Sequence, residues 1–221
     1  MTVKKAELKV VRAVAHLFQA TLISGPERSV VNHLQQSQLA VEWPEIGCNG
    51  RRLEQGLKLL GTYLKEWKGS DTQIEALKLD HGRLFLGPGE PLAAPWGSVY
   101  LEAPPSVNGE STLAFSDFLR VKGIQITQKT NEPLDHIGTQ FAVLSFLLGK
   151  LAEQPDSTET TAVCKSLLAD HLLPWADRCL ERVEEFATTH YYRGLAILAR
   201  EYLCYLRRVF DIRCITVPLF R

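Results

Sequence analysis

Apolar residues recur along this chain at alternating steps of three and four, the spacing that lines one face of a helix. Leu8, Val11, Ala15, Phe18 and Leu22 follow it over 3–22, and Gly25 and Pro26 end that run. The pattern predicts further helices over 27–41 and 51–67, the latter with Leu53, Leu57, Leu60, Leu64 and Trp67 on one stripe. Another runs from Asp71 through Ile74 and Leu77 to about Phe85, where Gly87, Pro88, Gly89 and Pro91 stop it. A helix over 112–122 has Ser111 as its cap and Gly123 as its stop. After a loop at 124–132, Pro133 in the first turn starts a long apolar helix to about Gln154, with Ile137, Phe141, Leu144, Leu148 and Leu151 inward. The pattern then predicts 158–172 and 174–187 as two helices broken at Pro174. A last helix, 190–210, precedes a tail of eleven residues. Only Ile124–Thr127 has any strand character, so the expected class is all-α, a single domain over 1–221.

Composition adds limits. Hydrophobic residues make up 45 % of the 221, enough for a packed core. Lys plus Arg and Asp plus Glu are 25 each, so no basic excess points to nucleic acid or an anionic membrane. The apolar run Phe141–Leu148 is far shorter than the roughly 20 residues a membrane span needs. The N-terminal Lys4 and Lys5 are followed by Glu7, Lys9, Arg12 and His16, which break any signal-peptide core; the expected location is the cytoplasm. Five cysteines without a CxxC pair suggest reduced, mostly buried thiols and neither a disulfide framework nor a zinc site.

Two stretches carry more chemistry than a connecting loop needs. Residues 87–110 hold five prolines and four glycines, yet also Leu92, Trp96, Val99, Tyr100 and Leu101. Long apolar loops in folded domains are usually functional. The second stretch is Asn131-Glu132-Pro133-Leu134-Asp135-His136. Trp96 is suited to anchor a ligand, although a lone Trp more often plugs a loop onto the core. Asp135 in a first helical turn would be stabilised by the helix end, and alone would be a capping residue. A small hydrolase using Asp135 and His136 with Ser98 is a rival reading. It lacks a GxSxG elbow, and adjacent Asp and His side chains on a helix point apart. No paired histidine spacing suggests a metal, and no glycine-rich phosphate loop suggests a nucleotide.

Taken together, Arg83-Leu84-Phe85 with Gly87-Pro88, then Pro95-Trp96-Gly97-Ser98-Val99-Tyr100, then Glu132-Pro133-x-Asp135-His136 resemble the TorD/DmsD family of redox-enzyme maturation chaperones. His171-Leu172-Leu173-Pro174-Trp175 and the ending Pro218-Leu219-Phe220-Arg221 extend the resemblance over nearly the whole chain. Where the family often has an aromatic residue and a second proline, this chain has His81 and Ala94. The resemblance implies a helical chaperone without a cofactor and without catalysis. Its implied partner is the twin-arginine leader of a molybdopterin-containing reductase subunit, such as one that reduces dimethyl sulfoxide, with components of the twin-arginine translocase as further partners. A chaperone that grips a folded part of the reductase is the alternative within that reading. Carried over residue by residue, Leu84, Phe85, Pro95, Trp96, Gly97, Ser98, Tyr100, Glu132, Pro133, Asp135 and His136 would line the leader site. The apolar members would cover the leader's apolar segment, and Glu132 and Asp135 would accept from its guanidinium groups. An exposed pair of that kind is worth only about 0–1 kcal/mol, so the apolar segment is expected to carry most of the affinity.

Overall fold

The computed structural model describes residues 5–127, 132–213 and 217–221. Lys4, Asn131 and Cys214, with parts of the expected 3–22 helix and 124–132 loop, lie outside the described residues. Ten α-helices stand in the described part: α1 Lys5–Leu22, α2 Arg28–Gln36, α3 Gly50–Glu66, α4 Asp71–His81, α5 Ser98–Leu101, α6 Glu110–Val121, α7 Ile137–Glu153, α8 Thr158–Ser166, α9 Leu173–Phe186 and α10 His190–Val209. No strand occurs among the described residues, and the class is all-α as expected. None of the described helices is long and apolar enough to cross a membrane. The chain forms two compact units, one from 1–23, 95–176 and 207–221, the other from 24–94 and 177–206.

In the first unit α7 is buried nearly all round, from Ile137 to Phe141 and on through Leu144, Leu148 and Leu151. It lies against the apolar face of α1, with the Phe18 and Phe141 rings 5.4 Å apart. Gly138 makes the close approach possible, because a Cβ there would sit 2.6 Å from Ile23 Cα. Helix α7 starts later than expected. Residues 133–136 form a turn in which His136 N–H donates to Pro133 C=O, and Ile137 N–H donates to Pro95 C=O (2.8 Å). Pro133 and Asp135 therefore precede the helix, because pairing with the 95–97 strand-like segment outcompetes proline's preference for a first turn.

The break expected at Pro174 is also absent. Between α8 and α9, residues 167–172 form a wider π-type turn and leave no gap in the helical path. The extra width accommodates a residue that lacks an N–H and whose ring would strike the preceding turn. Helix α6 begins at Glu110, so Ser111 lies inside it and is not its cap. Glu102 takes that role, accepting from Ser111 N–H (2.9 Å) and from the Ser106 and Ser111 hydroxyls. Burial opposes ionisation of Glu102, yet those hydrogen bonds hold its carboxyl below the usual range.

In the second unit α3 and α10 meet at Gly194, where a Cβ would lie 2.8 Å from Leu60 N. Leu60, Leu64 and Trp67 are buried as their stripe predicts, while Leu53 and Leu57 are half-buried. The buried Asp80 carboxylate accepts from Thr188 N–H, Thr189 N–H and the Thr189 hydroxyl just ahead of α10. Helix α4 widens into a π-type turn over Gly82–Leu86, closed by Gly87 N–H donating to Gly82 C=O (2.6 Å). Gly87 has a φ of 75°, a conformation that favours glycine. Cys164 and Cys179 are buried and outside any disulfide, but Cys48 and Cys204 form one, contrary to the expectation of reduced thiols. Only the fold brings these two together, across a sequence separation of 156.

His81 packs between Phe85 (5.1 Å between centroids) and Tyr192 (6.0 Å). Its burial lowers its pKa below the ordinary 6.5, against an opposing pull from Asp80. A folded-state value below the unfolded one means that the unfolded chain binds the proton first on acidification. Stability is full above pH 6.5 and falls as the pH drops, by up to about 1.4 kcal/mol per pH unit for one such group. His81→Phe should flatten the decline of Tm between neutral and mildly acidic pH; an unchanged slope assigns the acid sensitivity elsewhere.

Candidate functional site

Residues 95–100 and 132–136 come together in the first unit. Trp96 and His136 form an isolated antiparallel bridge, flanked by Gly97 N–H donating to Asp135 C=O (3.4 Å) and Ile137 N–H to Pro95 C=O. Side chains reinforce it. Asp135 Oδ2 accepts from Ser98 N–H (2.7 Å) at the start of α5, and Glu132 Oε2 accepts from Trp96 Nε1 (3.1 Å). The long loop is thus fastened at its middle, and the ring plane of the half-buried Trp96 is fixed.

Each motif residue has a local reason. Pro95 is buried and supplies its carbonyl to α7. Gly97 lies on the indole of Trp175, where a Cβ would be 2.8 Å from Trp175 Nε1. Tyr100 stacks on the same indole, its ring 5.6 Å from Trp175 at 23°. The tail joins in through Phe220 N–H donating to Tyr100 C=O (2.9 Å). His136 caps α7, with Gly138 N–H donating to its Nδ1 (3.0 Å). A nitrogen that accepts cannot carry the proton, so the neutral ring is protonated at Nε2.

A cavity of about 120 Å³ opens beside these groups, with Gly97, Ser111, Asp135, Gln140, His171 and Trp175 in its lining. Asp135 is 1 % exposed and Gln140 also 1 %. Gln140 Nε2 donates to Asp135 C=O (3.3 Å), which fixes its amide so that Oε1 is the remaining acceptor. Among the described residues Asp135 Oδ1 and Gln140 Oε1 have no hydrogen-bond donor, and no ion pair holds the Asp135 carboxylate. Two buried acceptors beside a partly open cavity call for a donor, and one of them is a carboxylate. A guanidinium has N–H groups enough to serve both, and its charge matches the carboxylate.

Leu84 and Phe85 lie in the second unit and are buried at 0 % and 2 %. Phe85 packs edge-on against Tyr192 (5.8 Å). In this conformation they are core residues. Pro133 is buried and Glu132 half-buried. Ser98, Asp135 and His136 are not wired as a hydrolytic triad: Asp135 binds the Ser98 backbone, His136 Nδ1 is taken by Gly138, and neither bond joins Asp135 to the imidazole. Gln140, His171 and Trp175 belong to the cavity although sequence reasoning did not place them there. The signal for Trp175 was its motif, His171-x-x-Pro-Trp175, whose indole N–H donates to His171 C=O (2.7 Å). For Gln140 it was a lone amide in an apolar helix, one turn past His136.

Residues 50–181 match the family model described as nitrate reductase delta subunit. The Tat proofreading chaperone DmsD of Salmonella typhimurium is 38 % identical over 147 residues, 66 % of this chain and 68 % of that one. The chain belongs to the TorD/DmsD family. Other relatives in it are the chaperone protein YcdY of Escherichia coli, 30 % identical over 76 % of each chain, and the chaperone protein TorD of Vibrio vulnificus, 28 % identical over 56 % of this chain and 59 % of that one. In this chain Trp96, Gly97, Ser98, Asp135 and His136 pin the loop to the start of α7.

Gly97→Ala tests this packing. Its methyl group would push Trp175 off its seat, at a cost of about 1–3 kcal/mol. A lowered Tm with altered tryptophan fluorescence is the expected result; a wild-type Tm would show that the loop yields freely.

Proposed function

We propose that this chain is a cytoplasmic chaperone that holds the twin-arginine leader of a molybdopterin-containing reductase catalytic subunit until the cofactor is in place, and that it catalyses no reaction. Membership of a family whose named members are chaperones supports the general role. The name of the Salmonella relative, a Tat proofreading chaperone, supports the export leader as ligand. We take the chain to act as a single domain over 1–221, with translocase components as secondary partners.

The observation that carries the reading is the unpartnered Asp135 Oδ1, 1 % exposed beside a cavity. Sequence reasoning treats the arginine contact as an exposed pair of little worth. Burial changes that balance. A carboxylate oxygen out of water gains about 1.5–3 kcal/mol from a charged hydrogen-bond partner, while an exposed pair gains about 0–1. An arginine of the leader therefore contributes affinity as well as selectivity. The half-buried Trp96, its indole N–H held by Glu132 and its backbone bridged to His136, supplies the apolar contact in this reading. With Leu84 and Phe85 buried, Trp96 carries most of the apolar contact in this conformation.

Titration of leader peptides tests the proposal. Asp135→Asn can keep an oxygen toward Ser98 N–H while placing an NH₂ where Oδ1 stood, so α5 is retained and the guanidinium is repelled. It should lose about tenfold or more of the preference for Arg-Arg over Lys-Lys leaders. Trp96→Ala should weaken both leaders by about tenfold or more with unchanged helicity. Equal affinity of wild-type protein for leader and for a scrambled peptide would overturn the reading.

A further inference from the structure

Helix α10 presents Glu201 and Cys204 one turn apart to the end of the connection between α2 and α3, all within the second unit. Glu201 is 8 % exposed, and its Oε2 accepts from Cys48 N–H (2.9 Å) and Asn49 N–H (2.7 Å). Asn49 in turn caps α3 through its side chain. The disulfide joins Cys48, half-buried, to Cys204, exposed, with 5.9 Å between their Cα atoms. The same backbone position is therefore held twice, once by a covalent bond open to solvent and once by a buried carboxylate that does not depend on it.

We propose that Cys48 and Cys204 form a reversible redox clasp, closed by low-molecular-weight disulfides and opened by dithiols, with Glu201 keeping the two sulfurs adjacent when the bond is open. Solvent-exposed disulfides are the labile ones, and in a reducing compartment thiol pairs of this kind cycle between states. Closure starts at the accessible sulfur. The Cys204 thiolate attacks a small-molecule disulfide, forms a mixed disulfide and releases one thiol. The Cys48 thiolate then attacks the Cys204 sulfur and releases the second thiol. Two protein thiols and one reagent disulfide become one protein disulfide and two reagent thiols, so electrons and protons balance. Because two hydrogen bonds to a charged group hold Cys48 and Asn49 in place, the open form keeps a high effective concentration of one thiol for the other. Cys164 and Cys179 are buried and take no part. Burial pushes the Cys164 thiol up to about 12, which keeps it protonated and unreactive.

The full chain, equilibrated in buffers running from reduced to oxidised glutathione, trapped with a maleimide and read by intact mass, tests the clasp. Cys48 and Cys204 should lose reactivity together in one two-electron step, in monomeric protein, and recover it with dithiothreitol. Persistent alkylation of both under oxidised glutathione, accumulation of glutathionylated Cys204 without closure, or a bond that dithiothreitol leaves intact in folded protein would each overturn the proposal. Glu201→Gln should lower the effective concentration of the pair by about tenfold. An unchanged value in variant protein with wild-type helicity would overturn the positioning role of Glu201. If that variant does not fold, Asn49→Gly with Glu201 intact should leave the wild-type value, and a tenfold loss there would assign the positioning to the α3 cap instead.

Discussion

One buried carboxylate holds the candidate site together. Asp135 sits ahead of α7 and reaches across to the backbone N–H that opens α5, so the short helix, the bridge and the start of the long helix share a single fastening point. A carboxylate removed from water needs compensation on both oxygens. Oδ2 has it from Ser98, and Oδ1 does not have it among the described residues. The arrangement thus combines a satisfied structural bond with an unsatisfied one beside open space, and the second is what a ligand can complete.

The surrounding packing explains why the group stays in place. Gly97 allows the loop onto the Trp175 indole, Tyr100 stacks on the same indole, and the tail pairs with Tyr100 through Phe220. Gly138 lets α7 lie against the end of α1, which fixes where His136 and Asp135 emerge. Packing of this kind leaves the loop and the start of α7 little freedom to lose on binding.

Much of this was legible in the sequence. The three-four spacing identified the buried faces of α1 and α7 because helix periodicity is local. The Pro133 reading failed for the opposite reason, a bridge from residues some forty positions away, and the Pro174 reading because a π-type turn just ahead of the proline accommodates its ring. The Cys48–Cys204 pair was invisible because nothing in their spacing marks them as neighbours. The motif residues were found through resemblance, but their individual tasks were not. Asp135 looked like the cap of its own helix and instead caps another, and His136 takes the cap. Leu84 and Phe85, read as surface for a ligand, are packed in the second unit's core. An apolar residue in a motif does not reveal which side of the fold it faces.

A crystal structure of the chain with an arginine-containing leader bound addresses the role of Asp135 most directly. A guanidinium nitrogen within about 3.2 Å of Asp135 Oδ1, with Oδ2 still on Ser98 N–H, is the predicted result. A leader bound with its arginines in solvent and Oδ1 satisfied by water alone would contradict it.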